Sequence, residues 1–71
     1  MEPTPQELAA KHCLLQDFPG IEIESMEVCS YLFSPNVWGV YVRAIMLHRK
    51  VKIFCRVYKD GDGYFKVRIE P

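Results

Sequence analysis

A single change of hydrophobic period, near Gly20, limits this chain to one helix followed by strands. Before it, Leu8, Ala9, His12, Cys13 and Leu15 recur at roughly helical spacing. After it, from Ile21 onward, apolar and polar residues alternate in twos, the period of a half-buried strand. Thr4-Pro5-Gln6-Glu7 is a helix start: Thr4 caps, Pro5 suits the first helical position, and Glu7 completes a capping box. The spacing predicts a helix over 4–16, preceded by a frayed end at 1–3, with Leu8, Lys11 and Leu15 together on one side. Phe18-Pro19-Gly20 stops it, because a residue before proline avoids helical angles and glycine permits the reversal.

Four strands follow, predicted at 21–33, 38–47, 51–58 and 64–69. In the first, Ile21, Ile23 and Ser25 alternate with Glu22, Glu24 and Met26, and Glu27 interrupts the alternation as a bulge or bend. Ser34-Pro35-Asn36 is a turn. The segment from Trp38 to Leu47 reads as strand on its β-branched and aromatic content, although Val40, Arg43, Ala44, Leu47 and Val51 also fit a helical stripe. His48-Arg49-Lys50 is then a turn without glycine. Asp60-Gly61-Asp62-Gly63 is a strong hairpin signal, since Asp-Gly tolerates the positive φ that such turns need. The predicted fold is α+β: one N-terminal helix packed on an antiparallel sheet of about four strands, an α-β-β-β-β meander in one small domain. The layout resembles that of cystatin-like and Sm-like small folds in arrangement alone, without a motif of either, and implies no function.

Length and composition narrow the function classes. A chain of 71 residues makes one domain at most, and at this size folding buries only about 60% of the unfolded surface. Yet 49% of the residues are hydrophobic and nine are aromatic, more than a minimal core needs. Some large apolar side chains are therefore expected at the surface, as contacts for a protein partner or a homodimer. No run of about 18 apolar residues exists, so no membrane partner is expected. Met1 to Glu7 holds acids and prolines rather than a basic, apolar leader, and the expected location is cytoplasmic. Cys13, Cys29 and Cys55 are odd in number and widely spaced, which fits small buried hydrophobes better than a disulfide scaffold.

Charge is segregated along the chain. Residues 1–35 hold Glu2, Glu7, Asp17, Glu22, Glu24 and Glu27 against Lys11, a net of −5. Residues 36–71 hold eight lysines and arginines against Asp60, Asp62 and Glu70, a net of +5. Folded as a meander, the second half places Trp38, Val40, Val42, Ala44, Val51, Ile53, Cys55, Val57, Phe65, Val67 and Ile69 on the side the helix covers. The other side carries Tyr41, Arg43, Lys52, Phe54, Arg56, Tyr58, Tyr64, Lys66 and Arg68, the candidate site.

Two readings of that face compete. In the first, the chain is a non-enzymatic binding module for a protein partner or a second copy, engaged through the sheet face or an open edge with Phe54, Tyr58 and Tyr64 as anchors. In the second it binds single-stranded nucleic acid, with Tyr41, Phe54 and Tyr58 stacking on bases and the cations on phosphates. If the acidic first strand lay beside residues 51–58, it would neutralise the positive face. A small Cys/His enzyme ranks third: no nucleophile elbow, phosphate loop or paired-carboxylate spacing is present, and no cofactor is expected. Read as a calcium loop, Asp60-Gly61-Asp62-Gly63 lacks the twelfth-position glutamate, and His12 and His48 form no local metal motif with the cysteines.

Overall fold

A computed structural model describes residues 4–30 and 35–70 and has the expected α+β arrangement. Helix α1 (Pro5–Asp17) is followed by β1 (Glu22–Ser30), β2 (Val37–Met46), β3 (Arg49–Lys59) and β4 (Phe65–Glu70). The strands form one antiparallel sheet in sequence order, β1-β2-β3-β4. The end at 1–3, Tyr31 to Phe33 of the first predicted strand, and Ser34 of the turn lie outside the described residues. No helix among the described residues is long and apolar enough to cross a membrane.

The helix begins as its sequence dictates, with one difference. Thr4 is extended (φ −70°, ψ 158°), and its hydroxyl accepts the Glu7 N–H at 3.2 Å. That hydroxyl also donates to Glu7 Oε1 at 3.2 Å, so the Glu7 carboxylate meets the threonine side chain rather than its backbone N–H. At the far end the Phe18 N–H bonds the Leu14 carbonyl at 2.8 Å, and the chain turns over Pro19-Gly20 to bury Ile21. The buried stripe is Ala10 and Leu14, one turn apart, with Ala9 packed beside them. Leu8, Lys11 and Leu15 share one side of the helix as their spacing indicates, lining a groove against β1, and both leucines stay exposed there. Alanine brings the helix backbone close to the sheet, and α1 touches all four strands. The fully buried Leu14 then supplies about 1.5–3 kcal/mol of burial energy.

The sheet is built around the pairing of β2 with β3, ten residue pairs from Val37↔Tyr58 to Met46↔Arg49. Residues 41–46 are therefore strand, and the helical stripe is incidental. Val40, Val42 and Ala44 of β2 are buried with Cys55 and Val57 of β3. Half-buried Val67 and Ile69 of β4 and Met26 and Val28 of β1 flank them. Trp38 is half-buried at one end of this layer, its ring 6.0 Å from that of Phe65. The irregularity of β1 falls between Ile23 and Ser25, at Glu24 rather than at Glu27. One extra residue there turns Ser25 outward opposite Arg43 and Met26 inward opposite Val42, so that Ile23, Met26 and Val28 all reach the core.

The β3–β4 hairpin turns at Asp60-Gly61-Asp62-Gly63 as its sequence indicates, whereas the β2–β3 turn is displaced. The β2–β3 turn is Leu47-His48, a shift from the expected His48-Arg49-Lys50, because Arg49 already pairs with Met46. Both turn residues have positive φ (51° and 63°), as in a type I′ turn. The strand twist favours this geometry, yet Leu47, 92% exposed, is ill suited to it, whereas histidine enters it more readily. In the β3–β4 turn the Asp60 carboxylate accepts from the N–H groups of Asp62 and Tyr64 at 2.9 and 3.0 Å. Only Gly63 has positive φ there, at 84°, and Gly61 does not.

Replacing the β2–β3 turn by Asn-Gly (Leu47→Asn with His48→Gly) should raise stability by about 1–2 kcal/mol in urea unfolding, because asparagine and glycine take positive φ with less strain than leucine and histidine. An unchanged midpoint would mean the turn is relaxed. Gly63→Ala should lower stability by about 1–2 kcal/mol although nothing lies within 4 Å of its new methyl. Gly61→Ala, equally unobstructed and without positive φ, should stay within about 0.5 kcal/mol of the parent.

Candidate functional site

One face of the sheet is packed by α1, and among the described residues nothing covers the other. On the open face the strand register lines up residues into rows across the sheet. The central row is Glu27–Tyr41–Phe54–Glu70, one residue from each strand. Tyr41 and Phe54 are in contact, with ring centroids 4.9 Å apart and planes tilted by 53°. Such a tilted pair is worth about 0.5–1.5 kcal/mol beyond its buried area. Tyr41 nevertheless stays 53% exposed, so the pair does not close the face over itself.

Rows of cations lie on either side. Toward the β2–β3 turn, Arg43 stands directly opposite Lys52, with Ser25 on the far side of Arg43. Like charges in direct cross-strand register repel. Among the described residues no carboxylate lies within ion-pair distance of either group. On the other side of the aromatic pair Arg56 faces Arg68, and Glu70 offsets this second like-charge pair. Its Oε1 lies 3.1 Å from Arg56 Nη2, and both side chains are about two-thirds buried. Tyr58 sits half-buried between Val37 and Lys66 at the end of the face.

The register thus gathers Tyr41, Arg43, Lys52, Phe54, Arg56, Tyr58, Lys66 and Arg68 on one surface. Tyr64 stands apart. It precedes β4 and belongs to the hairpin turn, where its backbone is tied to Asp60 and its side chain is 73% exposed. Pattern alone does not pick out Glu27 and Glu70, which bracket the aromatic pair, because their place in that row depends on which residues pair across the sheet. Lys50 also joins the face opposite Ile45, since β3 starts two residues earlier than its alternation indicated. The acidic strand β1 lies beside β2 and not beside β3, so the cations of β3 have β4 as their other neighbour.

The cysteines differ from one another. Cys55 is buried, Cys13 is half-buried, and Cys29 is exposed on the open face opposite Gly39. The expectation of three small buried hydrophobes therefore fails at Cys29, because it shares the outward register of Glu27. Burial, reinforced by the nearby Cys13 thiol, pushes the Cys55 thiol up to about 11. Burial and then the Asp17 carboxylate raise Cys13 as well. Both shifts disfavour thiolate, the nucleophilic form. Among the described residues no group of three or more His, Cys, Asp or Glu side chains is placed to hold a metal ion. No family model, curated protein or solved structure matches this chain.

The Cys55 shift makes stability depend on alkaline pH. The unfolded thiol loses its proton near its ordinary value of 9.0, whereas the folded one keeps it until about 11. Stability from this group is complete below pH 9 and declines as pH rises from 9 to 11. Thermal unfolding across that range should show a steeper fall for the parent than for Cys55→Val. Parallel profiles would mean the thiol is not protected.

Proposed function

We propose that this chain is a small non-enzymatic binding module that engages a protein partner through the open sheet face. The supporting observation is the Tyr41–Phe54 pair at the middle of that face, with the unrelieved Arg43–Lys52 pair on its flank. An aromatic centre with arginine beside it is the composition of interface hot spots. The like-charge pair lowers the stability of the free protein, and an acidic side chain of a partner would relieve it. Glu27 and Glu70 bracket the rings in the same row, which favours a partner with both signs of charge over a uniform polyanion. Three free cysteines support a reducing, cytoplasmic setting.

Single-stranded nucleic acid is the second reading, favoured by the separation of the acidic strand from β3. Bases would stack on Tyr41 and Phe54 while phosphates met Arg43, Lys52, Lys66 and Arg68. Arg56, engaged by Glu70, contributes least to either partner.

Lys52→Glu converts the repelling pair into an opposite-charge pair. It should raise stability by about 0.2–1 kcal/mol while weakening partner binding, the signature of a residue kept for function at the expense of the fold. Proteins captured from a cell extract by the parent should be lost with Tyr41→Ser/Phe54→Ser, provided circular dichroism shows that variant folded. Identical capture by both would overturn the sheet face as the binding surface. A labelled single-stranded oligonucleotide decides the second reading. Saturable binding that falls steeply with salt and is abolished by Arg43→Glu/Lys52→Glu would establish nucleic acid, and no binding at low ionic strength would remove it.

A further inference from the structure

Among the described residues nothing pairs with the outer edges of β1 and β4, and the two edges carry opposite charge. On its outward side β1 displays Glu22, Ser25, Glu27 and Cys29, with Glu24 at the bulge. On the same side β4 displays Lys66, Arg68 and Glu70, of which Glu70 is held by Arg56. On the helix side both edges are apolar: Ile23, Met26 and Val28 along β1, Phe65, Val67 and Ile69 along β4, all half-buried. Charges on an edge strand ordinarily prevent sheets from joining. Here they act selectively. Two β1 edges paired about Glu27 would oppose glutamates, and two β4 edges paired about Val67 would oppose Lys66 to Arg68. A β1 edge against a β4 edge brings opposite signs together.

Strand direction permits that joint. Four antiparallel strands leave β1 and β4 running in opposite directions. A second copy set beside the first in the same orientation therefore meets it with β4 antiparallel to β1, and the two helices fall on the same side. One register, clear of the bulge, sets Arg68 opposite Glu27, Glu70 opposite Ser25 and Lys66 opposite Cys29. Along the helix side the same register sets Val67 opposite Val28 and Ile69 opposite Met26. The added strand extends the floor of the groove between α1 and β1, over which the exposed Leu8 and Leu15 stand.

We infer that copies of this chain associate head to tail, the β4 edge of one pairing with the β1 edge of the next. The joint uses different patches on its two sides, so it continues into a chain of subunits, or a ring if the sheet twist closes it. It rests on the reading of the protein as a binding module but uses its edges rather than its face, so the two can fail separately.

Sedimentation velocity over a concentration series, at low and high salt, tests it. The parent should gain mass with concentration, and less so at high salt. Reversing one edge, by Glu22→Lys/Glu27→Lys or by Lys66→Glu/Arg68→Glu, should weaken association at least tenfold. Both reversals in one chain should restore it, since each joint again unites opposite signs. Lys66→Cys should give an oxidised ladder of dimers, trimers and longer species through native Cys29, lost when Cys29→Ser is added. A parent that is monomeric at every concentration overturns the proposal. So does association that survives either reversal but fails in Tyr41→Ser/Phe54→Ser, which would assign self-contact to the sheet face. Loss of partner capture by that face variant, with the edge joint intact, would leave this inference standing.

Discussion

The pairing of β2 with β3 holds the rest of this domain in place. These are the two central strands and they run together for ten residue pairs, so every other element is positioned by reference to them. Their inward side supplies most of the buried layer: Val40, Val42, Ala44, Cys55 and Val57. These side chains are small or medium in size, and α1 meets them with Ala10 and Leu14. The result is a thin core in which close approach does what bulk does in larger domains. The same pairing imposes the Leu47-His48 turn. A two-residue link between strands this tightly registered must take positive φ at both residues, and the chain accepts that strain without the asparagine or glycine that would remove it.

The outward side of the same strands bears the Tyr41–Phe54 pair and the Arg43–Lys52 repulsion. The two faces of one hairpin are thus built from different chemistry, apolar toward α1 and aromatic and cationic outward. Every second residue is committed to the core, and those between face outward. Glu27 and Glu70 come from the two edges and complete a row of acid, ring, ring, acid across the sheet. The segregation of charge in the chain becomes, in the fold, a gradient from an acidic β1 edge to a basic β4 edge, interrupted by the Arg56–Glu70 ion pair.

Much of this architecture is legible in the sequence because its signals are local. Alternation in Val51 to Tyr58 assigns both faces of β3, and Thr4-Pro5 starts α1 where it begins. The misses share a cause. Glu24 rather than Glu27 is the irregular residue because Ile23 and Met26, an odd number of residues apart, must both face inward opposite Ala44 and Val42. Cys29 lies outside the core because the pairing of β1 with β2 gives it the outward register of Glu27. Tyr64 leaves the candidate face because Asp60 claims its backbone for the turn.

The sequence by itself determined the element order, the change from helix to meander, and which residues of β2, β3 and β4 share a face, since each follows from the period of a short segment. Only the tertiary structure decided which residues become neighbours. It set β1 beside β2 rather than β3, placed Arg43 against Lys52, gave Glu70 to Arg56, and left edges of opposite sign. Those outcomes depend on register and strand order, fixed by the joint burial of distant apolar residues, and no local pattern encodes them.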